Sequence, residues 1–237
     1  MSYPLTFTKI FADGAKIDEM KEMDKNPLIA GFTTNPTLMK KAGITDYKAF
    51  AMEALAAFPH KPISLEVFSD EWDEMEEQAR RIASWGANVF VKIPITNTRG
   101  ESSFTLIERL SQSGIKTNIT AILSLEQVKA ILPAVIHAPA AYISVFAGRI
   151  ADTGVDPLPI MQETVNLLQP YSGLQLIWAS PREVLNVFQA DRIGCHIITI
   201  TADILNKMKL FGRNLDDYSL DTVKMFYQDA QKAGYRI

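Results

Sequence analysis

Apolar and polar positions alternate along the chain in two distinct rhythms. Short runs rich in Ile, Val and Phe recur at 8–13, 27–32, 62–68, 87–95, 115–120, 140–146, 174–180 and 195–201. Runs of that length and composition suit strands of a parallel sheet, buried on both faces. Longer stretches with helical spacing separate them, such as 70–86, 102–114 and 180–194, and several close on a glycine. Residues 33–43 fit a turn followed by a short helix, and the tail from Asp216 to Gly234 fits a final helix. Gly and Pro, twelve of each, are scattered and mark no linker. Eight strand–helix units in 237 residues predict an α/β fold. The expected form is one (β/α)8 TIM barrel over residues 1–237, with a helical tail from about 216. An open doubly wound sheet is the alternative, because strand count alone does not close a sheet. In a barrel, the chemistry belongs where strands end and loops begin.

Composition narrows the function. A net charge of -3 argues against a general nucleic-acid binder. No apolar run reaches the ~18 residues of a membrane span, and the start, MSYPLTFTKIFADG, lacks a basic and an apolar leader region. The single cysteine, Cys195, can form no internal disulfide, so a reducing, cytoplasmic setting is expected. One Cys and three scattered His (His60, His137, His196) cannot assemble a zinc cluster. The acidic run Asp70–Glu77 reads as a solvated helix face, and Cys195 as core packing.

Lys92 is the single charge in the run 87–95. A strand lysine must pair, neutralise or react. Desolvation favours its neutral amine, and such an amine forms Schiff bases with carbonyl substrates. A lysine snorkelling to water, or a structural ion pair, would explain it too. Polar residues recur at the same place in other runs: Asp13, Glu66, Asn118 with Thr120, Ser144 and Ser180. A carboxylate near an imine-forming lysine can move protons. Arg149 and Arg182 follow the sixth and seventh runs, Arg182 in the expected opening turn of a helix. Arginine beside a serine hydroxyl suits a phosphate dianion.

Five segments in this order resemble the transaldolase family of class I aldolases, which includes the fructose-6-phosphate aldolases. They are Gly31-Phe32-Thr33-Thr34-Asn35-Pro36, Val91-Lys92-Ile93-Pro94, Thr117-Asn118-Ile119-Thr120, Ile143 to Ile150, and Ala179-Ser180-Pro181-Arg182. The resemblance implies a role for each position. Lys92 would form the Schiff base, Asp13 would take the C4 hydroxyl proton, and Glu66 with Thr120 would hold a proton-shuttling water. Asn35 and Ser144 would bind hydroxyls of the three-carbon unit, while Thr33 and Asn118 shape the pocket. Arg149, Ser180 and Arg182 would grip a sugar phosphate. No metal or organic cofactor is implied. Glu66 and Phe146 match the family's transaldolases, whereas its fructose-6-phosphate aldolases carry Gln and Tyr there. Val145, Trp178 and Pro181 depart from the usual residues and are expected to border the phosphate site. The expected activity is transfer of a dihydroxyacetone unit from a ketose phosphate to an aldose phosphate. The alternatives are simple aldol cleavage and a non-catalytic sugar-phosphate-binding barrel. Met225, Phe226 and Tyr227 could cover the barrel mouth or join subunits of a homo-oligomer.

Overall fold

The structure is a computed structural model that describes residues 5–236. Met1–Pro4, where the stretch read for a leader begins, and Ile237, the last residue of the tail, lie outside the described residues. Eight parallel strands close into a barrel in sequence order. They are β1 (Lys9–Asp13), β2 (Ile29–Thr33), β3 (Ile63–Glu66), β4 (Val89–Pro94), β5 (Thr117–Ile122), β6 (Ala141–Val145), β7 (Leu174–Trp178) and β8 (Ile197–Ile200). Pairing of β1 with β8 shuts the ring, so the open-sheet alternative is excluded. Each expected run overlaps one strand.

Helices surround the ring. In chain order they are α1 (Ile17–Asp24), α2 (Pro36–Lys41), α3 (Tyr47–Ala57), α4 (Trp72–Ala83), α5 (Phe104–Gln112) and α6 (Leu125–Val135). There follow α7 (Ala147–Asp152), α8 (Leu158–Leu168), α9 (Leu185–Arg192), α10 (Ala202–Lys207) and α11 (Leu215–Ala233). α4 shows how the pattern makes an element. Met75, Ala79 and Ile82 recur at helical spacing and are buried, while Asp73 and Glu74 open the helix and Arg80 and Arg81 end it. That charge order complements the helix dipole. Two of its acidic residues are paired at the surface, with Arg80 and Arg109 on Glu76 and Arg99 on Glu71.

Strand alternation sorts the core into two layers. In β4, Val89, Val91 and Ile93 join the large cluster shared with the helices. Phe90 points the other way and packs inside the ring with Phe11, Tyr142, Ile177 and Ile197. The Phe90 and Tyr142 rings stack at 3.9 Å, and Phe11 meets Tyr142 edge-on. Gly31 makes room for this floor, since a Cβ there would lie 2.7 Å from the Phe11 ring. One inward step further along the strands, the residues become polar. Val145 and Trp178 have the outward parity and belong to the helix-side cluster. They therefore do not border the site, contrary to expectation.

α11 is the exception to this packing. None of its residues is buried, and Leu220, Val223, Phe226 and Tyr227 form an uncovered apolar stripe. No helix among the described residues is long and apolar enough to cross a membrane.

Candidate active site

Parallel register brings the polar residues together. Glu66 on β3 is the partner of Lys92 on β4, Lys92 is the partner of Asn118 on β5, and Asp13 on β1 is the partner of Thr33 on β2. All have inward parity, one step above the aromatic floor. They open into a cavity of about 430 Å³ at the C-terminal ends of the strands.

Lys92 is buried, and its Nζ lies 3.0 Å from Glu66 Oε2 and donates to the Thr34 carbonyl at 2.9 Å. The structural ion pair weighed from the sequence is therefore present, and it sits inside the cavity. Glu66 is within proton-transfer distance of the amine. The Tyr47 hydroxyl, from α3, donates to the Glu66 carbonyl at 3.0 Å and fixes the end of β3.

Asp13 faces the same cavity. Burial, the largest influence, holds its carboxyl above the usual aspartate range; the Lys92 charge and the Thr33 hydrogen bond pull the other way. Thr33 Oγ1 donates to Asp13 Oδ1 at 3.0 Å and also meets the Thr199 hydroxyl. With the Thr33 proton committed to Asp13, Thr199 acts as donor in that contact.

On the far side, Asn118 is clamped. Its amide donates to Ser64 Oγ at 2.9 Å, and its carbonyl accepts from Ser144 Oγ at 2.7 Å. Ser144 keeps lone pairs free toward the cavity. Thr120 Oγ1 is buried with no protein partner. A buried hydroxyl without a partner is costly, so this one calls for water or a ligand. Ala121, next along, takes φ 62° where β5 slips register against β6. That irregularity distorts the last residues of β5 beside the cavity. Asn35 caps α2 by accepting from the Leu38 amide at 2.9 Å, and the residue also lines the cavity.

The expected phosphate residues divide. Phe146, Arg149 and Ser180 line the cavity, with the Arg149 guanidinium 5.4 Å from the Phe146 ring centre. Ser180 adopts φ 59°. Arg182 is not a lining residue; it is ion-paired with Asp152. It also lies in the loop three residues ahead of α9, not in the first turn of that helix as expected.

Thr199, Thr34 and Ser64 belong to the site but were missed. Thr199 and Ser64 are inward polar residues on strands, a signal that strand parity carries. Thr34 acts through its backbone carbonyl and leaves no side-chain signature. Cys195 is buried with its thiol pushed up to about 12, an inert core group. His196 Nδ1 accepts the Leu176 amide, while His60 and His137 are exposed.

The raised Asp13 carboxyl has a measurable consequence. Its native pKa exceeds the unfolded value, so its contribution to stability is complete below the ordinary aspartate pKa of about 3.9 and declines as pH rises through the native value. Asp13→Asn keeps the Thr33 contact but cannot ionise. Its melting temperature is expected to exceed that of the wild type at pH 7, and the gap should close in acid. A gap independent of pH in paired thermal melts would contradict this account of Asp13.

Comparison with known proteins agrees with the geometry. The family model described as Transaldolase/Fructose-6-phosphate aldolase matches residues 10–237. A protein of Dehalococcoides mccartyi named "Probable transaldolase" is 38% identical over 225 residues, covering 94% of this chain and 100% of that one. One of the same name from a Thermoanaerobacter species is 35% identical, covering 97% of this chain and 100% of its own. Among solved structures, 3-hexulose-6-phosphate synthase from Salmonella typhimurium shares the barrel, with TM-score 0.57 at 13% identity over 84% of this chain and 91% of that one. The chain belongs to the transaldolase/fructose-6-phosphate aldolase family.

Proposed function

We propose that this protein transfers a dihydroxyacetone unit from a ketose phosphate to an aldose phosphate, in the cytoplasm, through a Schiff base on Lys92. The observation that carries the reading is the Lys92–Glu66 pair inside the cavity, with Asp13 facing it. The Lys92 amine, after losing its proton, attacks the ketose C2 carbonyl. Glu66, with a water held beside Thr120, moves protons as the carbinolamine forms and loses water. The resulting protonated imine carries the same single positive charge as the ammonium it replaces. The surrounding carboxylates therefore meet little change in field.

Asp13, once ionised, takes the proton from the C4 hydroxyl. The C4–O electrons form the new aldehyde, the C3–C4 bond breaks, and its electron pair flows into the imine to give an enamine. The aldose phosphate leaves, and the three-carbon unit stays on Lys92. An acceptor aldose phosphate then enters, and the same steps run in reverse. Ser144 and Asn35 would hold the three-carbon unit, with Thr33 and Asn118 shaping the pocket. Arg149, Ser180 and Arg182 would hold the phosphate beside Phe146.

The test is turnover of fructose 6-phosphate with and without an aldose phosphate acceptor. Release of glyceraldehyde 3-phosphate is expected to depend on the acceptor, and Lys92→Ala should cut it by about 10³-fold or more. Free dihydroxyacetone accumulating equally fast without acceptor would favour simple cleavage. No turnover of any ketose phosphate would favour a binding barrel.

We also propose that the chain assembles with copies of itself through α11. Support comes from its 19 residues, with the apolar stripe of Leu220, Val223, Phe226 and Tyr227 left in water. Ending the chain at Asn214 should lower the mass measured by sedimentation and leave the barrel folded. A monomeric full-length chain would overturn this.

A further inference from the structure

Asp152 ends α7 and has no part in the chemistry above. Its carboxylate grips Arg182 side-on: Nε donates to Oδ1 at 3.0 Å, and Nη2 donates to Oδ2. The hydrogen bond from Arg182, with the charges of Arg182 and Arg149, holds the Asp152 carboxyl below the usual range. Bidentate pairing of this kind is also the geometry in which a guanidinium takes a phosphate.

The backbone on both sides is pinned. A Cβ on Gly148 would fall 1.6 Å from the Ser180 carbonyl oxygen, so the start of α7 sits tight against the loop after β7. The Arg182 amide donates to Asn186 Oδ1 at 2.8 Å. The Arg182 side chain is about half exposed, so solvent and solutes reach it. Ser180 and Arg149, by contrast, already face the cavity.

We propose that Asp152 competes with the substrate phosphate for Arg182 and so sets the strength of the phosphate grip. This rests on the reading of Arg182 as a phosphate contact. A phosphate dianion carries more charge than a carboxylate, and an exposed ion pair is worth only about fivefold in an equilibrium, so the exchange is easy. The competition suits a transfer reaction. Donor, product and acceptor all present a phosphate to the same place, and the first aldose phosphate must leave before the next can enter. A residue that reclaims Arg182 keeps the phosphate grip moderate.

The test is calorimetric titration of inorganic phosphate into the wild type, Asp152→Asn, Arg182→Ala and the double variant. Asp152 is exposed, so its substitution leaves the core intact. Asp152→Asn is expected to tighten phosphate about three- to fivefold, and Arg182→Ala to weaken it. In the Arg182→Ala background the effect of Asp152→Asn should fall to less than half. If Arg182→Ala weakens phosphate but Asp152→Asn leaves it unchanged or weaker, competition is wrong while the phosphate reading stands. Tightening that persists in full without Arg182 would also overturn it. If Arg182→Ala binds phosphate like the wild type, both readings fall.

Discussion

The site depends on one ammonium–carboxylate pair held inside a ring of strands. Removing two ions from water costs several kcal/mol each, and attraction repays this only when geometry is good and further hydrogen bonds are made. Here the pair sits at 3.0 Å, and the Thr34 carbonyl takes a second proton of the amine. The register of β3 on β4 makes this possible, since Glu66 and Lys92 are direct partners. A slip of one residue would turn either side chain toward the helices. Pairing, alternation and site chemistry are therefore one constraint.

Around that pair the barrel is layered by polarity. Phe11, Phe90 and Tyr142 close the space below, and a band of Asp, Thr, Ser and Asn lies above. The aromatic floor excludes water from one side and raises the cost of a second negative charge. Asp13 takes that cost, which is why its carboxyl holds its proton more firmly than usual. Two residues at the rim, Ala121 and Ser180, take left-handed backbone angles. Each such residue costs roughly 1–3 kcal/mol and is tolerated because neighbours over-determine it. Stability is spent where the ligand would bind, as at many functional sites.

Much of this was legible in the sequence. Eight apolar runs marked eight strands because buried parallel strands need Ile and Val on both faces, and the lone charge in 87–95 marked Lys92. Polar residues at run ends led to Asp13, Glu66, Asn118, Thr120 and Ser144, which share one cavity. Strand parity carries further information: it turns Val145 and Trp178 outward and Ser64 and Thr199 inward. The rest lay in tertiary contact. The Thr34 carbonyl has no side-chain signal, and nothing near Asp152 in sequence points to Arg182, thirty residues away. Ser-Pro-Arg resembles a helix opening, yet α9 starts later, because Ser180 takes a left-handed turn and Pro181 and Arg182 stay in the loop.

The central claim is that the Lys92 nitrogen bonds covalently to a ketose carbonyl. Borohydride reduction of the protein with fructose 6-phosphate, followed by peptide mass analysis, tests it directly. The account predicts a stable sugar-derived adduct on the peptide containing Lys92 and on no other lysine. An unmodified Lys92 across several ketose phosphates, or an adduct on a surface lysine alone, would contradict it.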